Sequence, residues 1–261
     1  SGAVRCWGSN WYGQLGYGNF LPIGDDELPS SAGDVVLGGT VEKLAVGGYH
    51  NCALRSDGAV LCWGGNWFGQ LGYGNIDHIG DNELPAASGP VAVGAAVVQL
   101  SAGVYHTCAL TDSGAARCWG RNDHGQLGYG VSGNIGDDEL PDSAGDVVTG
   151  IAAIAVLAGG HHSCVQSELG TLYCWGRNHY GQLGYGNTMT IGDDEVPATV
   201  GAIAVGASVL QPSAGYAVTC ALVGLDAVRC WGGNGAGQLG YGNTQSVGDN
   251  ELPSTAGDVP M

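Results

Sequence analysis

The tripeptide Cys-Trp-Gly begins at Cys6, Cys62, Cys118, Cys174 and Cys230, so five copies follow one another at a constant spacing of 56 residues. A second cysteine series, Cys52, Cys108, Cys164 and Cys220, keeps that interval. So does the hexapeptide Gly-Gln-Leu-Gly-Tyr-Gly, which starts at Gly13, Gly69, Gly125, Gly181 and Gly237. Self-similarity at this period describes stacked supersecondary units, none of which can bury its apolar surface alone.

Composition says what the units are made of. The 50 glycines sit in a chain that is still 44% hydrophobic, which suits many short strands joined by tight turns. Collagen is excluded, since the glycines show no three-residue period, and no sustained helical periodicity appears. One hairpin per unit is predicted, for example His50 to Arg55, a turn at Ser56-Asp57-Gly58, and Ala59 to Gly64. A three-residue loop with glycine in the left-handed position closes such a hairpin and sets Arg55 opposite Ala59. Leu54 then faces Val60, and Cys52 faces Cys62. The same register pairs Cys108 with Cys118, Cys164 with Cys174 and Cys220 with Cys230.

Opposed residues of an antiparallel pair bring their Cα atoms within the reach of a disulfide, so four hairpin disulfides are expected. The alternative is reduced, buried cysteines in a cytosolic chain. Zinc at these cysteines is disfavoured, for they lack a Cys-x-x-Cys ligand pair. Both faces of the hairpin are apolar and need cover, which neighbouring blades of a propeller supply without helices. Leu44 to Gly48 and Leu100 to Gly103 read as further strands.

The motif Gly47-x-x-His50-Asn51-Cys52-Ala53-Leu54, then Asp57-Gly58, then Cys62-Trp63-Gly64-x-Asn66-x-x-Gly69-Gln70-Leu71-Gly72, resembles the regulator of chromosome condensation repeat. The resemblance runs through essentially the whole chain. It implies an all-β propeller of four-stranded antiparallel blades, here five 56-residue repeats near 1–42, 43–98, 99–154, 155–210 and 211–261, with one blade incomplete. The paired cysteines, an acidic loop and a slightly longer repeat set this chain apart. The nucleotide exchange and nucleosome docking that the resemblance brings with it find no matching residue set here. Cys6 has no partner ten residues earlier, so the chain is expected to be a fragment of a longer propeller, or to be completed by a partner chain, and Cys6 could bridge two molecules.

Charge and hydropathy narrow the partners. Seven Lys and Arg stand against 24 Asp and Glu, a formal charge of -17, so a nucleic-acid backbone or anionic membrane would be repelled. No apolar run approaches the roughly 20 residues of a membrane span. The chain shows no charged-then-apolar leader, so the expected compartment, extracellular, periplasmic or cell surface, rests on the cysteines.

Candidate sites follow from where the repeats agree and differ. Acidic loops recur at Asp25-Asp26-Glu27, Asp81-Asn82-Glu83, Asp137-Asp138-Glu139, Asp193-Asp194-Glu195 and Asp249-Asn250-Glu251. Clustered carboxylates suit calcium, which takes six to eight oxygens, and they equally suit Asx-type turns that satisfy backbone N–H groups. The Gly-Gln-Leu-Gly-Tyr-Gly turns lack the Lys-Ser/Thr of a phosphate cradle, and their glutamines are expected to tie backbone across the turn. His50, His106 and His162 share a repeat position that holds Val218 in the fourth copy, the pattern of core histidines. No nucleophile, base and orienting residue converge, which argues against an enzyme.

The repeats differ most just before Gly-Gln-Leu, at Trp11-Tyr12, Trp67-Phe68, Asp123-His124, His179-Tyr180 and Gly235-Ala236. Aromatic rings at a loop tip suit contact with a protein or a sugar, with Trp11 and Trp67 expected to be exposed and Arg121 and Arg177 nearby. The sequence therefore points to a secreted or cell-surface protein-interaction scaffold. Two alternatives stand beside it: a calcium-assisted carbohydrate binder, and a structural subunit of an extracellular assembly.

Overall fold

A computed structural model describes residues 2–224 and 226–260, so the outer ends of the first and last expected repeats lie outside it. The chain is all-β. The twelve strands among the described residues are β1 (Val41–Val46), β2 (His50–Arg55), β3 (Val60–Gly64), β4 (Val97–Ala102), β5 (His106–Thr111), β6 (Ala116–Gly120), β7 (Ala153–Ala158), β8 (His162–Ser167), β9 (Leu172–Gly176), β10 (Val209–Ala214), β11 (Val218–Val223) and β12 (Ala227–Gly232). They form four three-stranded sheets, β1-β2-β3, β4-β5-β6, β7-β8-β9 and β10-β11-β12. Among the described residues helix is confined to single turns that each open on a proline, among them Pro141–Ala144, Pro197–Val200 and Pro253–Ala256. No helix among the described residues is long and apolar enough to cross a membrane.

The hairpin register is the one the cysteines dictate. Cys52 faces Cys62 and Leu54 faces Val60, and the loop closes through an Arg55 N–H to Ala59 O bond of 2.9 Å with Gly58 at a φ of 83°. All four hairpins carry their disulfide, with Cα atoms 4.0 to 4.1 Å apart, and Cys6 is the free cysteine. The sulfurs are fully buried in the first three sheets, as are Trp63, Trp119, Trp175 and Trp231 on the opposite face. The first strand of each sheet, such as β1 against β2, carries one bulge, between Val41 and Lys43 in the first sheet.

Two expectations need correction: among the described residues the sheets have three strands, not four, and they number four, not five. Beyond the third strand of each sheet one isolated bridge forms, as between Gly64 and Ile79. The reason lies in Asn66, whose side-chain amide takes the carbonyls of Asn75 (2.8 Å) and Asp77 (3.0 Å), so that segment's acceptors serve a buried side chain and not a ladder. Asn10, Asn122, Asn178 and Asn234 do the same in the other copies. Among the described residues the copy at Cys6-Trp7-Gly8 forms no strand, and its β-pairing is the bridge Gly8 to Ile23.

By compactness the chain falls into two units. The first comprises Ser1–Asp112, Arg117–Arg121 and Asn134–Gly145, and within it β4 packs against β1 and β2. The second comprises Ser113–Ala116, Asn122–Gly133 and Asp146–Met261, and within it β10 packs against β7 and β8.

Successive repeats are latched through the Gly-Gln-Leu-Gly turn. Its glutamine side chain accepts the N–H two residues back, as Gln70 Oε1 does from Phe68 at 3.0 Å, which confirms the expected backbone tie. Its glutamine carbonyl then uses both lone pairs on the following repeat. Gln70 O accepts Thr107 Oγ1 at 2.9 Å and Trp119 Nε1 at 3.0 Å; Gln126 O accepts Ser163 Oγ at 2.8 Å and Trp175 Nε1 at 3.0 Å. Gln14 O accepts Asn51 and Trp63 likewise, whereas Trp231 Nε1 has no hydrogen-bond partner. The acidic loop of the next repeat closes on the same turn. A β-carbon on Gly69 would fall on the backbone of Gly136 and Asp137, and Gly74 N donates to Gly136 O at 3.0 Å.

Candidate functional face

In the first unit the variable turn residues meet side chains from the strand connections. Tyr12 and Trp67 lie edge to face at 4.5 Å, and Trp67 also meets Tyr49 at 5.7 Å, His78 at 4.8 Å and Tyr105 at 6.1 Å. Tyr49 and Tyr105 stack at 5.2 Å. Phe68 meets Tyr105 at 5.2 Å, and the Arg121 guanidinium covers both rings, at 4.8 Å from Phe68 and 5.6 Å from Tyr105. All of these rings are half-buried, so the patch is one ordered surface of large aromatics with a cation at its edge.

The two tryptophans differ from one another. Trp11 is 77% exposed, as expected, whereas Trp67 lies half-buried. Gly65 explains the second: a β-carbon there would strike the Trp67 ring, so its absence lets the indole fold back. Ser9 holds the equivalent position beside Trp11. In the second unit Tyr180 and His179 are exposed, Asp123 is exposed, and His124 is half-buried. His124 meets His161 at 6.0 Å and His179 at 5.9 Å, and His161 meets Tyr216 at 5.6 Å. Arg177 Nε donates to His179 Nδ1 at 3.2 Å.

Sequence reasoning missed Tyr49, Tyr105, His161, Tyr216 and His78. A signal existed for three of them: Tyr49, Tyr105 and His161 occupy one repeat position, immediately before the recurrent core histidine, and that position is aromatic or imidazole in three successive copies.

The acidic loops are built from their own backbone. Glu27 Oε1 accepts Gly24 N–H at 2.9 Å and Glu83 Oε1 accepts Gly80 N–H at 3.1 Å. In the loops at Asp25-Asp26-Glu27, Asp137-Asp138-Glu139 and Asp193-Asp194-Glu195, one oxygen from each carboxylate lies within 4.8 Å of the others. The loops at Asp81-Glu83 and Asp249-Glu251, with asparagine in the middle, do not form such a group among the described residues. Partial burial and the neighbouring Asp194 push Glu195 up to about 7; burial also raises Glu83 and Glu139. One loop offers three carboxylates, so it under-fills a calcium shell without further oxygens.

The core histidines carry no exposed chemistry. His50 Nε2 lies 2.8 Å from Thr107 Oγ1 and His162 Nε2 2.9 Å from Thr219 Oγ1. Each threonine donates its proton to a glutamine carbonyl, which leaves it accepting from an Nε2–H tautomer. Burial lowers both histidines to about 4, so they stay neutral. Cys6 is half-covered, and burial pushes its thiol up to about 11, far from the range of a reactive thiolate.

The geometry agrees with what the chain is similar to. The regulator of chromosome condensation (RCC1) repeat matches residues 41–70, 97–126 and 151–182, and, in a second profile of that repeat, residues 57–110 and 170–222. The ultraviolet-B receptor UVR8 of Arabidopsis thaliana is 31% identical over 246 residues, 92% of this chain and 51% of the receptor. The human E3 ubiquitin-protein ligase HERC2 is 30% identical over 251 residues, 94% of this chain and 5% of the ligase. The chain thus spans about half the length of the plant relative and a small part of the human one. Among solved structures, human WBSCR16 superposes with a TM-score of 0.73 at 21% identity, over 98% of this chain and 62% of that one. Yeast RCC1 (Prp20), solved bound to Kap60, gives 0.71 at 19% identity over 100% of this chain and 57% of that one. These likenesses show the fold. With its five-fold sequence period, its hairpin register and its latching turns, the chain belongs to the regulator of chromosome condensation (RCC1) repeat family.

Proposed function

We propose that this chain is a non-catalytic, propeller-type scaffold that binds a protein partner through the aromatic face of its first unit. The observation that carries the reading is the convergence of Tyr12, Tyr49, Trp67, Phe68, Tyr105 and Arg121 on one half-exposed patch. Large rings with two χ angles lose little entropy on binding, and Trp, Tyr and Arg are the side chains that dominate interface energetics. Solved structures of the same fold include RCC1 bound to Kap60. Four disulfides support an oxidising compartment, extracellular, periplasmic or at the cell surface.

The test is capture of partners from the producing cell's medium and envelope on the wild-type chain and on Phe68→Ala/Arg121→Ala. Both substituted side chains are partly exposed, so the fold persists, checked by circular dichroism. The variant is expected to lose the captured protein, by tenfold or more in affinity. Unchanged capture would remove the aromatic face from the reading.

A second reading, calcium-assisted carbohydrate binding, draws support from the acidic loop Asp137-Asp138-Glu139 closing on the turn that carries Trp67 and Phe68. Glycan binding that survives a chelator, or calorimetry that detects no calcium, would dismiss it.

A further inference from the structure

Resting on the docking reading above, we propose that the aromatic face of the first unit takes an extended, arginine-bearing segment of a partner protein, its guanidinium groups seated between the rings and the acidic loops that border them. The loops reach the rings through the latch. Tyr12 precedes Gly13, whose missing β-carbon leaves room for the backbone of Gly80 and Asp81; Phe68 precedes Gly69, which accommodates Gly136 and Asp137 in the same way. Each ring-bearing turn therefore has an acidic loop of the following repeat at its side.

Beside Phe68 stand Asp137, Asp138 and Glu139, which bring one oxygen apiece within 4.8 Å of one another. Beside Tyr12 the acidic loop opens into a cleft of about 720 Å³, whose lining includes Asn75, Asp77, His78, Asp81 and Glu83. His78 joins cleft to rings, for it also meets Trp67 at 4.8 Å and Tyr12 at 5.9 Å. Among the described residues no cation pairs with Asp77, Asp81 or Glu83. Asp81 Oδ1 is buried there and accepts no hydrogen bond. Burial and the neighbouring Asp81 raise Glu83, as befits carboxylates crowded together with nothing positive between them.

The rings themselves show which cation they accept. Arg121 lays its guanidinium over Phe68 and Tyr105, at 4.8 Å and 5.6 Å, and so makes within the chain the contact offered to a partner. Among the described residues no cation covers Tyr12, Tyr49 or Trp67. A guanidinium stacks on a ring through its face and forks onto a carboxylate through its edge, so rings and carboxylates side by side satisfy one arginine at once. Lysine, a point charge on a flexible stem, uses the pair less well. The formal charge of -17 draws a basic partner toward the chain, and the face fixes where it settles.

The test is fluorescence anisotropy on the full chain, with a labelled peptide of alternating arginine and glycine and the same peptide carrying citrulline for arginine, which keeps the shape and removes the charge. A chelator excludes calcium, and salt at about 0.15 M screens exposed charges beyond roughly 8 Å, which suppresses general attraction to an acidic surface. The arginine peptide is expected to bind about tenfold tighter than its citrulline twin. Asp77→Asn/Asp81→Asn/Glu83→Gln and Trp67→Leu are each expected to weaken it by about tenfold. Asp25→Asn/Asp26→Asn/Glu27→Gln removes the same charge from a loop whose Gly24 faces Trp7 instead, and is expected to leave binding within about twofold. Circular dichroism checks each fold, with Tyr12→Leu replacing Trp67→Leu should that chain unfold. Equal binding of the two peptides, equal losses from the two acidic-loop variants, or undiminished binding without the ring would each overturn the proposal. If the peptides bind equally while Phe68→Ala/Arg121→Ala still loses its captured protein, the docking face stands and the arginine chemistry falls.

Discussion

Gly65 and Ser9 occupy one position in successive repeats, and the difference of a single side chain accompanies two tryptophan environments. Over Gly65 the Trp67 indole folds back to meet Tyr12, Tyr49 and His78; beside Ser9 the Trp11 indole stands in solvent. Gly65→Ser is therefore expected to swing Trp67 outward and shift its fluorescence emission to the red, with small loss of global stability because the ring is only half-buried in the parent. Measured on a Trp11→Phe background, an unshifted spectrum would refute this account. The case also shows why loop-tip exposure was illegible from Trp67 alone. What decides it is the absence of an atom two residues away, and no propensity or periodicity registers that.

At the scale of the element, the unit of construction is a disulfide-closed hairpin flanked by one further strand. Replacing Cys164 and Cys174 together by serine removes a loop closure of ten residues and is expected to cost about 2 to 3 kcal/mol in a urea unfolding experiment. A loss below about 1 kcal/mol would mean that the hairpin is held by its buried tryptophan and latch instead. Much of this element was readable from sequence, because a strand alternates sides with a period of two and the cysteines, ten apart around a known turn type, fix the register. Its outer edge was not. The segment that reaches Ile79 meets Gly64 at a single bridge, because Asn66 takes its carbonyls, and that competition between side chain and ladder becomes visible only once the turn has folded. The candidate site was half legible for a similar reason. Divergence among repeats marked Trp67, Phe68, His124 and His179, but Tyr49 joins Trp67 from 18 residues away, and Tyr105 and His161 join Phe68 and His124 from 37 residues away.

For the molecule as a whole, acid is the revealing variable. His50 and His162 are held neutral, down at about 4 from an ordinary 6.5, so the unfolded chain binds more protons than the folded one between those values. Stability is then lost as pH falls, by about 2 kcal/mol per histidine on reaching pH 5, before ordinary carboxylates titrate. Glu195 acts with the opposite sign: raised to about 7, it takes up its proton first in the folded state and adds stability on acidification. It is mostly solvated, so its contribution is the smaller one. The urea midpoint is expected to fall between pH 6.5 and 5, and less steeply in His50→Gln/His162→Gln; a midpoint flat or rising across that window would contradict the assignment. The latch has a longer reach in time. Donor and acceptor of the Trp119 to Gln70 bond lie 49 residues apart, inside one 56-residue period, so a segment copied in frame arrives with a socket at one end and the matching plug at the other. Such a gene can lengthen by whole copies without inventing a new contact, leaving selection free to edit only the turn tips.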